Sequence, residues 1–397
     1  MDVKYTLSND TWDKDELVAI QRVVDSNYFT MGPVVAEYEQ LFAEKFGAKY
    51  AVMSNSGSSA NLLAIAALVL SKRLKKGDEV LVTAVSWSTT YSPLAQYGLK
   101  IRFVDIDRET LNVNPELLES AITPTTKAIL AVNLLGNPND FNQISAICQK
   151  YGLLLIEDNC ESMGAEYNGK KTGTFGVLGS FSSFYSHHIS TMEGGVTVTD
   201  DEELYHYMLS IRAHGWTRNL PAESKLYSKM DDEFYESFNF LMPGYNLRPL
   251  EIEAAIGIEQ LKKLGRFIEQ RRKNATTFKE MMARYSDDFQ IQKEVGKSSW
   301  FGFAIILTGK LTGKRDLVIR KLKEAGIEVR PIVAGNFTRQ KALEYMEYSI
   351  YGTLENADYI HENGFFVGNH SVDLEEALKY LLENIHKYIY AKSRDSM

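Results

Sequence analysis

Two adjacent histidines, His187 and His188, lie in the stretch GSFSSFYSHHISTMEGG, Gly179 to Gly195, behind a run of serines and ahead of a Gly-Gly. Imidazole has an unperturbed pKa near 6.5, so either ring can carry a proton at neutral pH. Ser183 stands five residues before His188 and offers a hydroxyl to a phosphate. In SNSGSSANLLAIAAL, small residues run straight into an apolar helix. Free backbone N–H groups and the positive end of the helix dipole suit such a start to an anion. The plainer alternative is an N-cap by Ser58 or Ser59.

LLLIEDNCES puts Glu157 and Asp158 at the end of a strand-like run. In open α/β sheets that end faces the ligand crevice, where a carboxylate can keep a cofactor ring nitrogen protonated. A strand-end carboxylate capping the next turn reads equally well. Trp87, in VSWSTTYSP, is either a stacking platform or a core residue. His214 and Arg218 share the loop IRAHGWTRN, and Asn246 lies in MPGYNLRPLE, as a turn residue or a ligand contact.

The elements that must position these groups alternate. EVLVTAV (79–85), IRFVDI (101–106), AILAVNLL (128–135) and LLLIED (153–158) read as buried strands; NLLAIAALVLSKRL and FNQISAICQKYG read as helices; GGVTVTD adds another strand. This order predicts a mostly parallel sheet covered by helices on both faces. A long helix, about 250–284, leads into a smaller α+β portion containing WFGFAIIL and GIEVRPIV. Residues 1–245, with an N-terminal helical segment, are therefore expected to form a large α/β domain, and 246–397 a small one. Net charge is −8 with mixed signs, which argues against a nucleic-acid partner. The longest apolar run, Leu62 to Leu70, is too short to cross a bilayer. MDVKYTLSNDTWDKDE has no basic or apolar leader, and only Cys148 and Cys160 occur, so a cytoplasmic protein is expected, with no metal site.

Taken in order, SGSSA, SW, ED, FSSFYxxH, EGG, RAHG and GYNLRPLEIEAAIGIEQL resemble the fold-type I pyridoxal-phosphate sugar aminotransferases, the DegT/DnrJ/EryC1/StrS family, over roughly residues 25–335. The resemblance implies an aspartate aminotransferase-like fold. It implies Gly57, Ser58 and Ser183 at the cofactor phosphate, Trp87 on the pyridine ring, Asp158 on its nitrogen and Glu161 beside it. It also implies Asn246 reaching the phosphate held by a second subunit, hence a homodimer with shared sites.

One departure stands out. Family members mostly carry a cofactor-bonding lysine where the motif places His188, and no lysine occurs from Thr172 to Ser224. The substitution resembles family 3-dehydratases acting on nucleotide-linked 4-keto-6-deoxysugars. One kind needs an iron–sulfur cluster and a reductase partner, and two cysteines cannot supply the usual ligands. The other works alone, and SSFYSHHISTMEGG, RAHGWTRNLP and GNH look like it. That likeness implies pyridoxal or pyridoxamine phosphate held without a covalent bond, with L-glutamate and a GDP-linked 4-keto-6-deoxysugar as substrates. It further implies His188 as proton carrier, loss of the C3 hydroxyl as water, and release of ammonia toward a dideoxysugar such as colitose for surface polysaccharide. His214 and Arg218 are expected on the substrate side. The alternatives are a histidine-dependent aminotransferase of a nucleotide keto-sugar or an eight-carbon keto-sugar acid, and an inactive sugar-binding scaffold.

Overall fold

Short aliphatic runs separated by amphipathic stretches bury both faces of their strands only when helices cover the sheet on each side. The computed structural model, which describes residues 3–387, has this arrangement. In chain order the large sheet uses β1 (Tyr50–Ser54), β2 (Glu79–Thr83), β3 (Lys100–Val104), β4 (Thr126–Val132) and β5 (Leu154–Asp158). A short hairpin, β6 (Glu166–Tyr167) and β7 (Lys170–Lys171), precedes β8 (Leu178–Ser182) and β9 (Gly195–Thr199). The sheet order is β1-β9-β8-β5-β4-β2-β3, closed at the β3 edge by Tyr348–Ile350 from the C-terminal part. Only β9 runs antiparallel to its neighbours. The strand order reverses at β2 and β4, so the crevice lies at the carboxyl ends of β2, β4 and β5.

The helices that matter to the site are α1 (Lys14–Ser26), α2 (Pro33–Phe46), α3 (Gly57–Leu70), α4 (Ser88–Gln96) and, far along the chain, α5 (Glu251–Met282). The helix expected from Asn61 begins four residues earlier, at Gly57, and its cap is Ser56 rather than Ser58 or Ser59: Ser56 Oγ accepts from Ser59 N–H at 3.1 Å. Beyond its first turn α3 carries one polar side chain, Asn61, in an otherwise apolar sequence, as a helix packed on most sides requires.

The C-terminal part forms its own antiparallel sheet from Phe289–Ile291, Gly302–Leu307 and Gly364–Gly368. The expected join near residue 245 is crossed in both directions. Tyr348–Ile350 pairs with β3, while Tyr5, at the other end of the chain, bridges Ile327 and donates to Gly368 O at 2.6 Å. α1 docks on α5 through the buried Glu16–Lys263 pair at 2.7 Å.

β8 shows why side-chain alternation governs the site. Phe181 points into the α2 layer, with ring centroids 5.1 Å from Phe42 and 4.8 Å from Phe46. Its neighbours Ser180 and Ser182 therefore face the opposite side, toward α3. Phe181→Ala is expected to cost about 3–5 kcal/mol, read as a lower urea midpoint with an unchanged slope.

Candidate active site

Glu157 and Asp158 are adjacent on β5 and so take opposite faces. Glu157 is fully buried and accepts from Gly173 N–H at 2.6 Å, Phe175 N–H at 2.6 Å and Gly176 N–H at 2.8 Å. It is a turn-capping carboxylate. Asp158 faces the crevice, where Oδ2 accepts from Asn61 Nδ2 at 2.9 Å and Thr90 Oγ1 at 2.7 Å, and Oδ1 from Cys160 N–H at 3.2 Å. Asn61 lies one turn into α3 and Thr90 in the first turn of α4, so one carboxylate ties together the starts of both helices.

Trp87 is the N-cap residue of α4 and is 58% exposed, which removes the core-packing alternative. Ser58 Oγ donates to Thr89 Oγ1 at 3.1 Å and holds the two helix starts side by side. Gly57 has no room for a side chain: a Cβ there would lie 2.5 Å from Ser182 Cβ. Gly195 is equally confined, its Cβ meeting Ser56 O at 2.2 Å and Gly57 N at 2.7 Å. The start of α3, the end of β8 and the start of β9 thus converge on the first-turn N–H groups of α3.

The loop between β8 and β9 departs by one residue from the expected assignment. Ser183 is buried with its hydroxyl on Thr191 Oγ1 at 2.5 Å, stapling the loop to itself. Ser182 is the serine beside Gly57, and its Oγ meets His187 Nδ1 at 2.8 Å. His187 is half-buried. His188 is fully buried on the other side of the loop, where its Nε2 donates to Ser299 O at 3.2 Å and its Nδ1 has no partner among the described residues. The structure thus places Ser182 beside Gly57 with His187 bonded to it, and turns Ser183 and His188, the residues expected there, to Thr191 and Ser299. Alternation along β8 turns Ser183 to the Phe181 face, and the loop continues from that register.

Glu161 accepts from Leu135 N–H at 3.0 Å; burial pushes its carboxyl up to about 7, and the charge of Asp158 adds to the rise. Asn246 is exposed, with its Oδ1 accepting from Arg248 Nε at 3.0 Å, and the adjacent Leu247 O accepts from Asn55 N–H at 3.0 Å. His214 is exposed in a left-handed conformation, φ 64°, and Arg218 sits 5.1 Å over the Trp216 ring. No described contact brings either of them to Asp158. Sequence reasoning missed Asn61, Thr90 and Ser182. Only Asn61 carried a signal, as the lone polar residue four positions after Gly57 in an apolar helix.

Residues 10–386, which include the capped helix start, the strand-end carboxylate and the exposed indole, match one family model, that of the DegT/DnrJ/EryC1/StrS aminotransferase family. The chain belongs to this family. It is 58% identical to the GDP-4-keto-6-deoxy-D-mannose 3-dehydratase of Yersinia pseudotuberculosis, over 97% of this chain and 99% of that protein. A solved GDP-4-keto-6-deoxymannose-3-dehydratase with a trapped PLP-glutamate geminal diamine superposes with a TM-score of 0.94 at 56% identity, covering 96% of this chain and all of the other. A solved variant of that dehydratase, ColD, has lysine in place of a histidine and asparagine in place of the serine immediately before it. It aligns at a TM-score of 0.93 and 56% identity, over 95% of this chain and 100% of that one. The architecture is that of the pyridoxal-phosphate-dependent aminotransferase fold.

The residues present fit such a cofactor. The Gly57–Ser182 approach leaves a cradle that a Cβ would fill, and the first-turn N–H groups of α3 suit a phosphate. Asp158 Oδ1 retains capacity to accept from a ring N–H.

The imidazoles are held neutral. Burial, and then the Arg271 guanidinium, lower His187 to about 4 and His188 well below its ordinary value. His370 is lowered to about 4, chiefly by burial. Between pH 6.5 and 4 the unfolded chain takes up protons that the folded chain refuses, so this contribution to stability is complete above pH 6.5 and is lost as pH falls. His370→Gln is expected to lose less stability than the wild type across that window, relative to its own value at pH 7, in urea titrations at stepped pH.

Proposed function

We propose that this chain removes the C3 hydroxyl of GDP-4-keto-6-deoxy-D-mannose as water, with L-glutamate giving the amino group and the two electrons and leaving as 2-oxoglutarate; hydrolysis then takes up water, releases ammonia and yields a 3-deoxy-4-keto sugar. The observation that carries the proposal is the β8–β9 loop. It presents an imidazole bonded to Ser182 in a loop that contains no lysine, in a chain 58% identical to a dehydratase over nearly its whole length. In ColD the replaced histidine follows a serine, and His187 is the one histidine of this sequence preceded by serine.

When bound, pyridoxal phosphate or its amine form supplies an electron sink and carries the amino group taken from glutamate. Gly57, Ser58 and Ser182 would hold its phosphate, with Asn246 of a second copy completing the cradle in a homodimer. Trp87 would stack on its ring, Asp158 would keep its ring nitrogen protonated, and Glu161 would lie beside it. His187 then takes a proton, returns it to the departing C3 hydroxyl, and unlike lysine forms no covalent bond that favours an aminosugar product. The resting imidazole is neutral, the state a base requires. His214 and Arg218 remain the substrate-side candidates by their shared loop, and no reductase partner enters the scheme.

Positioned proton transfer contributes about 10²–10⁴-fold. His187→Asn should therefore lower release of ammonia and deoxysugar by about that factor while cofactor still binds. His188→Asn, judged on correctly folded protein, should retain most of the activity. The reverse order would return the role to His188, and an aminosugar product without ammonia would replace dehydration by transamination.

Retention of the cofactor rests on noncovalent contacts, with charge-assisted phosphate bonds of about 1.5–3 kcal/mol each. Borohydride should leave no reduced adduct at the active site, and cofactor should dialyse away faster from Asn246→Ala than from the wild type. A borohydride-fixed cofactor on an active-site lysine would refute the noncovalent reading.

A further inference from the structure

Leu135 and Trp300 hold left-handed backbone conformations without being glycine. Leu135 has φ 52° and Trp300 φ 49°, and the two segments that contain them cross. Phe301 N–H donates to Leu135 O at 3.0 Å, Ser299 N–H to Gly136 O at 2.9 Å, and Ser298 Oγ to the same carbonyl at 2.8 Å. Gly136, at φ 93°, must be glycine here, because a Cβ would lie 2.5 Å from Trp300 N. Such conformations persist only where the surroundings over-determine them, and they gather at functional sites.

The product of this crossing is the placement of one ring. The backbone of Phe301 is fixed at both ends, its N–H on Leu135 and its C=O accepting from the buried Arg271 at 3.1 Å. Its ring lies 5.1 Å from the His187 ring and 5.7 Å from that of His188. Phe184 stands on His187 as well, at 5.9 Å, so the imidazole has an aromatic edge or face from two segments and, among the described residues, a single hydrogen bond, to Ser182. Leu135, at the far end of the crossing, is itself held by Glu161.

We infer that Phe301, supplied by the C-terminal part of the chain, is a positioning residue for His187: it fixes the imidazole against Ser182 and shields it from water. The inference rests on the assignment of His187 as proton carrier. Arg271 and Arg272 of α5, together with the two imidazoles themselves, are the charged and titratable groups acting on the pair, and Phe301 adds no charge of its own. Removing the ring therefore changes hydration and orientation while leaving the local field in place.

The test uses the full-length protein with histidine labelled at Cε1, the His187 resonance being assigned by its loss in His187→Asn. In Phe301→Ala the NMR titration midpoint of His187 should rise from about 4 by at least one pH unit, toward the ordinary value. The rate constant for ammonia release at saturating keto-sugar should fall at least tenfold, with KM for the sugar changed less than threefold. Phe301→Tyr, which keeps the ring, should restore both to within threefold of the wild type. Where Phe301→Ala does not fold, Phe301→Leu takes its place. An unmoved His187 midpoint in the ring-less variant, or a rate within twofold of the wild type, overturns the inference. A wild-type protein that releases no ammonia defeats the dehydratase assignment instead, and the titration still decides whether Phe301 shields His187.

Discussion

The buried carboxylate of Asp158 is the constraint around which the site is assembled. A charge taken out of water must find hydrogen-bond donors, and here they come from three segments: Asn61 of α3, Thr90 of α4 and the backbone of Cys160. Because the first two lie within a turn or so of their helix starts, satisfying the carboxylate also fixes where those helices begin. The exposed Trp87 at the head of α4 and the N–H groups at the head of α3 are consequently delivered to one edge of the sheet. Ser58 and Thr89 then lock the two starts to each other.

Alternation along the strands sorts neighbouring residues of like chemistry into different roles. Glu157 and Asp158 share charge and sequence context, yet one caps a turn beneath the sheet and the other faces the crevice. Ser182 and Ser183 divide in the same way, with Gly57 packed on the first and Thr191 bonded to the second. The histidine pair repeats the division in a loop. His187 leans on Ser182, whereas His188 is enclosed against Ser299 and Phe301. Desolvation and the nearby Arg271 lower both rings, which are therefore neutral at pH 7.

The two parts of the chain are joined at the site rather than merely adjacent. Ser299 and Phe301 come from the C-terminal part and touch the histidine loop. From the other end of the chain, Trp12 Nε1 donates to Ser190 O at 2.9 Å, and Ser190 N–H donates to Gln260 of α5 at 3.0 Å. The loop that carries the imidazoles is thus braced from three directions, which explains why a cut at residue 245 does not divide the molecule cleanly.

The sequence by itself determined the alternating α/β architecture, the strands near 79–85, 101–106, 128–135 and 153–158, the long helix and the family motifs. Apolar runs, helical periodicity and Gly/Ser helix starts are local signals, and each survives in the folded chain. It also determined that no lysine stands in the loop after β8, which is a matter of composition alone. Tertiary structure decided which of two adjacent serines and which of two adjacent histidines face the cradle, because that depends on the register of β8 against its neighbours and on which helix layer Phe181 fills. It decided that Asn61 and Thr90 serve Asp158, partners 97 and 68 residues away along the chain. And it decided the surroundings of the imidazoles, since Arg271, Ser299 and Phe301 approach them from beyond residue 270, where no local pattern reports their presence.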